Sequence, residues 1–264
     1  LSSFTYSPRV EAALDRISSD SLRGNLSFLA SDLLEGRDTP SRGLDVAAEF
    51  IAAQCRRTRL EPAGDDGYFQ TVRFHRGGIR PERFELTWKH GERTVAATGE
   101  AVLHAPARLE LENAPALTVQ FDAGAPPPPA SIAGKVVFAE LPDRPPAETR
   151  RRLRALLSMR PALVVTFSRA ARPAPRLVDE EEASVPWVTL RDDALAAATR
   201  AEPRGAAVSV RLAAQGEPPI TLRNVVGVLR GSDPALRDTA ILVTAHYDHV
   251  GIRSDCGSPD CTFN

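Results

Sequence analysis

A mixed α/β fold is the class this sequence predicts: a largely parallel sheet flanked by helices, with an inserted α+β, β-rich domain. Three observations predict it. TAILVTA, residues 239–245, is a near-continuous apolar run of β-branched and small residues, the pattern of a central strand covered on both faces. The N-terminal segment carries three amphipathic helical patterns that would flank such a sheet. The middle of the chain alternates short β and α patterns of its own, enough to bury a separate core. Residues 1–92 and 218–264 are therefore expected to form one domain interrupted by an insert at 93–217. That outer domain is expected to be incomplete, since a parallel sheet ending after TAILVTA has an unpaired edge.

In chain order, PRVEAALDRIS at 8–18 spaces Val10, Ala13, Leu14 and Ile17 for one helical face, with Pro8 suited to the first turn. A second helix is expected from an N-cap at Asp20 to Ala30, and a third from Ser41 to Arg57 with Leu44, Ala47, Ala48, Phe50 and Ile51 inward. SDLLEGRDTPSRG between them reads as a polar loop. GDDGYFQTVRF is a turn followed by a strand, and residues 79–97 form a hairpin about His90-Gly91. Character then changes near residue 93, and PPPP at 126–129 reads as an extended surface segment. GKVVFAELP is a strand. PAETRRRLRALLSMRPALVVTF gives a helix with Leu153, Leu156 and Leu157 inward and then a strand, and VPWVTLRDDALAAATR repeats the pattern. LRNVVGVLRG, a turn at SDPALRD and TAILVTA close the chain.

The 264 residues are 42% hydrophobic and 25% charged, which excludes wholesale disorder. A formal net charge of -1 gives no bulk field for nucleic acid or an anionic membrane, and no apolar run is long enough to span a bilayer. The arginines at 150–152 and 154 read as a solvated helix face. Leu1 in place of Met fits a removed signal peptide and a trimmed chain equally.

AHYDH, following TAILVTA, carries the chemistry. Ligands of open α/β sheets bind at the carboxyl ends of strands, and neutral imidazole is the commonest protein metal ligand. Asp248, two residues beyond His246, can accept the second ring N–H and fix the tautomer. An isolated His-x-Asp pair is as readily a plain hydrogen bond at a strand end. One histidine does not hold zinc, which takes three protein ligands in a catalytic site. His75, His90 and His104 lie in strands, a hairpin turn and the insert, so they read as structural, while His249 stays ambiguous. The His-x-His-x-Asp-His pattern of metallo-β-lactamase-like hydrolases would need histidine at Thr244.

Of three cysteines, Cys55 falls in a helical pattern as a small apolar residue. Cys256 and Cys261 flank the turn-forming Gly257, Ser258, Pro259 and Asp260, which favours a local disulfide over a thiolate metal site, since there is no CxxC. A disulfide would place the protein outside the cytosol, secreted or periplasmic.

Two blocks resemble the M28 family of zinc aminopeptidases. NVVGVLRGSDPALRDTAILVTAHYDHVG (224–251) resembles the segment entering that family's active site. Residues 26–72, with LEGR at 34–37, resemble its N-terminal region, although Arg59 stands where members commonly have glycine. The segment 93–217, with IAGKVVFAELP and VPWVTL, resembles the protease-associated domain often inserted in these enzymes.

The resemblance implies a zinc-dependent aminopeptidase that hydrolyses the N-terminal bond of peptides with a free N-terminus, through water activated by two zincs. His246 would be a zinc ligand and Asp248 its supporting catalytic carboxylate. The bridging aspartate, the general-base glutamate and the remaining ligands belong to later segments, so the remaining half of the peptidase domain is an implied partner. Asp255 and Asp260 lack the family's motif and read as loop residues. Two alternatives stay open: a non-catalytic peptide- or protein-binding module, and a glutaminyl-cyclase-like or carboxypeptidase-like zinc enzyme of the same architecture.

Overall fold

A computed structural model of the chain describes residues 6–121, 129–142, 144–168, 176–253, 255–257 and 260–263. It divides into two compact units, one of residues 1–71 with 222–264 and one of residues 72–221. Composition changes at residue 93, whereas the division falls earlier because the hairpin at 83–96 pairs within the sheet of the second unit.

The first unit opens with α1 (Pro8–Leu14), α2 (Ser19–Leu29), a 3-10 segment at Asp32–Arg37, α3 (Arg42–Arg57) and the short β1 (Glu61–Pro62). Both early helices differ from expectation. α1 stops at Leu14 and α2 is capped by Ser18, whose Oγ accepts from the Ser21 amide, so Asp20 lies inside the helix. Neither buries a residue: Val10, Leu14 and Ile17 are exposed, because a periodic face stays in water when no element covers it. α3 follows its pattern more closely. Ser41 caps it, Leu44, Ala47, Ala48 and Ala52 are buried, and Phe50 and Ile51 are half-buried. Gly43 allows the segment before it to approach, since a Cβ there would lie 1.7 Å from the Leu34 carbonyl oxygen. The helix ends in a Schellman motif: the Leu60 amide donates to Cys55 O at 3.0 Å, and the Arg59 amide donates to Arg56 O at 3.1 Å. Arg59 therefore holds a left-handed φ of 60°, the position where the family resemblance expects glycine.

The second unit holds β3 (Arg83–His90), β4 (Arg93–Ala96), β5 (Glu100–Leu103), β6 (Ala107–Val119), β7 (Val136–Glu140), α4 (Ala147–Ser158), β8 (Leu163–Phe167), β9 (Leu177–Asp179), α5 (Glu180–Ala183), β10 (Trp187–Arg191), α6 (Asp193–Ala201) and β11 (Arg204–Ala214). The chain enters it within β2 (Phe69–Arg76) and leaves it within β12 (Ile220–Val225). Its eight-stranded mixed sheet runs β4-β3-β11-β6-β7-β8-β10-β5, parallel from β6 to β10 and antiparallel on both sides. Alternation along β7 sends Val136 and Phe138 to one face and Val137 to the other. On the first face they pack with Trp88, Val208, Val210 and Leu195 of α6. On the second, Val137 and Val164 lie under Leu153, Leu156 and Leu157 of α4. Two covered faces explain why these middle strands are apolar at successive positions. The Arg151 and Arg152 side chains of α4 pair with Glu148 on its solvated face. The tetraproline stretch lies, all but its last residue, outside the described residues.

The mixed α/β class is thus realised, but its parallel core forms in the middle segment. TAILVTA is not a strand. Residues 239–250 have no regular structure, and Ile241, Leu242 and Val243 are 94%, 84% and 88% exposed. An apolar run becomes a central strand only between hydrogen-bonded neighbours, and none of the described strands pairs with it. The remaining elements of the first unit are small: β13 (Gly227–Val228) pairs with β1, and β14 (Gly251–Ile252) pairs with β15 (Thr262–Phe263).

Candidate functional site

The two sequence blocks that carry the resemblance meet in the first unit. The loop at 34–39 is set by three successive left-handed residues, Glu35, Gly36 and Arg37, with φ of 52°, 65° and 51°. At Gly36 a Cβ would lie 2.5 Å from Phe263 O and 2.7 Å from Gly251 O, so the β14–β15 hairpin closes on the loop only over glycine. Arg37 then ties the loop to the segment bearing His246. Its Nη1 donates to Leu29 O, its Nε donates to Tyr247 O at 2.9 Å, and its own carbonyl accepts from the His249 amide at 3.0 Å.

His246 and Asp248 are brought together. Nδ1 of His246 lies 3.0 Å from Asp248 Oδ1, and Thr39 Oγ1 donates to Asp248 Oδ2 at 3.1 Å. An ionised carboxylate only accepts, so the neutral imidazole in this pair carries its proton on Nδ1 and keeps a lone pair on Nε2. The His246 side chain is 95% exposed and that of Asp248 43%, which leaves Nε2 open. Tyr247, between them, points inward and donates to Arg223 O. Burial, helped by the negative charges of Asp45 and Asp248, raises the Tyr247 phenol above its ordinary range, with Arg223 opposing. Arg223 itself pairs with Glu49 at 3.1 Å and lies over the Phe69 ring.

His249 contributes its backbone amide, and its side chain is exposed. Asp255 pairs with Arg253, and Asp260 accepts from the Thr262 amide, as loop residues do. Cys256 and Cys261 are joined in a disulfide across a Cα–Cα distance of 5.7 Å. The other histidines lie in the second unit. His90 faces Glu202 at 3.9 Å. His104, 7% exposed, stacks on Trp187 and bonds to Thr189 Oγ1 at 2.7 Å. Burial, with Arg176 adding to it, lowers its pKa to about 3. Arg37 and Thr39 lie in the LEGRDT stretch, a loop in the sequence pattern, which marks neither residue individually.

A catalytic zinc takes three protein ligands and an open position. His246 offers one nitrogen with a supporting carboxylate, and among the described residues no three His, Cys, Asp or Glu side chains converge. These residues alone do not hold the metal, although Nε2 of His246 is presented as one ligand of such a site would be.

No protein-family model matches the sequence, and no curated protein does. Among solved structures the chain is similar to an aminopeptidase from Aneurinibacillus sp. strain AM-1, at 17% identity and a TM-score of 0.33, over 79% of this chain and 47% of that one. It is similar to a peptidase M28 precursor from Shewanella amazonensis SB2B, at 13% identity and a TM-score of 0.34, over 79% and 52%. It is also similar to BSAP, a zinc aminopeptidase from Bacillus subtilis, at 16% identity and a TM-score of 0.28, over 80% and 46%. The chain thus spans about half the length of these structures.

Proposed function

We propose that this chain is the N-terminal part of an extracytoplasmic zinc aminopeptidase, supplying one metal ligand, His246, and the carboxylate that orients it, Asp248. One observation carries the reading. The LEGRDT and HYDH blocks, far apart in sequence, are joined by hydrogen bonds from Arg37 and Thr39, and the result is an exposed imidazole with a fixed tautomer. Metal-ligating histidines donate their second ring N–H to a carboxylate in this way, which supports the reading. Zinc, its second ion and the remaining ligands would come together with residues other than those described, and peptides with a free N-terminus are the proposed substrates. The disulfide is compatible with a secreted or periplasmic protein. Among the described residues no helix is long and apolar enough to cross a membrane.

The native protein should hydrolyse aminoacyl-p-nitroanilides, lose that activity to a chelator, regain it with zinc, and spare N-acetylated substrates. Chelator-resistant hydrolysis, or none under any metal supply, overturns the reading. A second reading is a non-catalytic peptide-binding module, which predicts peptide binding without turnover. Cyclisation of N-terminal glutamine, or release of C-terminal residues, in the same assays would mark the cyclase-like or carboxypeptidase-like alternatives.

A further inference from the structure

We propose that Thr39 is a positioning residue for the His246–Asp248 pair: its hydroxyl orients the carboxylate, and the carboxylate fixes which ring nitrogen faces outward. The inference rests on the proposed function only for what His246 is presented to; the relay itself stands on geometry.

His246 is almost fully exposed, so packing does not hold its ring. Its orientation must come from hydrogen bonding, and Asp248 Oδ1 at 3.0 Å is the partner. The other oxygen, Oδ2, accepts from Thr39 Oγ1 at 3.1 Å. With one donor on each oxygen, rotation of the carboxylate breaks both bonds together. Without Thr39, Oδ2 turns to water, and the carboxylate samples orientations that release Nδ1–H. The position of Thr39 opposite Asp248 does not depend on its own hydroxyl. Arg37 Nε and the Arg37 carbonyl clasp residues 247 and 249, on either side of Asp248, and the Thr39 amide is held by Asp38 Oδ1 at 2.8 Å. The loop sets the register and the hydroxyl sets the carboxylate. Thr39→Val, close in shape, removes only the second.

The test is the tautomer of His246, read from ring nitrogen shifts in long-range ¹H–¹⁵N spectra of the intact chain, at a pH where the imidazole is neutral. The expected wild-type spectrum is mainly Nδ1–H. Thr39→Val should move the tautomer ratio about fivefold toward Nε2–H, the equivalent of one hydrogen bond. Thr39→Ser, which keeps the hydroxyl, should restore the wild-type ratio. Unchanged shifts in Thr39→Val overturn the proposal, as does a Thr39→Ser spectrum matching Thr39→Val, which would trace the effect to lost packing. If Thr39→Val fails to fold, Thr39→Ala against Thr39→Ser makes the same comparison. Failure of the peptidase reading leaves these spectra unaffected, and failure of the relay leaves chelator-sensitive hydrolysis intact.

Discussion

The two units of this chain differ in what they do with their apolar residues. Among the described residues, every large apolar side chain that is exposed lies in residues 1–71 or 222–264, and none lies in residues 72–221. The buried hydrophobic side chains of the first unit are Leu34, Leu44, Ala47, Ala48, Ala52 and Tyr68, whereas the sheet unit buries Trp88, Phe138, Leu163 and Leu195 with many more. A sheet with helices on both faces satisfies itself. A helix or an apolar run does so only if something covers it. The sheet unit covers its own apolar faces, whereas the candidate site of the first unit sits among uncovered residues.

Truncation in the sheet unit should have the largest effect. Phe138→Ala, in the main core, should cost about 4 kcal/mol in urea unfolding. Ile241→Ala in the exposed run should change stability by less than about 0.5 kcal/mol. Comparable losses at both would break the contrast.

Acid should act on the sheet unit next. His104 has a folded pKa of about 3 against an ordinary 6.5, so its neutral form is favoured by folding. The unfolded chain binds the extra proton between those values. The contribution is therefore fully present above pH 6.5 and is lost as pH drops toward about 3. Melts of wild type and His104→Gln at neutral and acid pH should show a shallower acid slope in the variant. Parallel slopes would assign the acid sensitivity elsewhere.

Asp192 is smaller in effect and structural in kind. It caps α6 through the Leu195 amide and ties down the turn through the Thr98 and Gly99 amides. Burial opposes its charge, yet those backbone donors hold its carboxyl below the ordinary range. Asp192→Ala should cost about 2 kcal/mol in the same denaturation series. In the first unit the smallest effect runs the other way. Arg59→Gly should stabilise by about 1 kcal/mol, since glycine takes the left-handed end of α3 without a Cβ clash, and a loss of stability would contradict the strain assigned there.

What the sequence made legible follows the same division. Apolar periodicity located α3 and α4 and their buried faces, because those faces find cover nearby. The same signal over Val10, Leu14 and Ile17, and in TAILVTA, reported only that burial would be favourable, not that a partner surface exists. The early boundary of the sheet unit escaped composition because it depends on long-range pairing of β3 with β11. At the site, His246 and Asp248 could be paired from spacing alone. Arg37 and Thr39 could not, since their bonds run to residues 210 and 209 positions away and partly to backbone, which leaves no local pattern.

His246, not His249, is the proposed functional arm of this segment. His246→Ala and His249→Ala, compared in the native protein for zinc-dependent hydrolysis of an aminoacyl-p-nitroanilide, test it most directly. The expected result is background activity for His246→Ala and activity within about tenfold of wild type for His249→Ala, whose observed bond is made by backbone. Near-wild-type turnover by His246→Ala would contradict it.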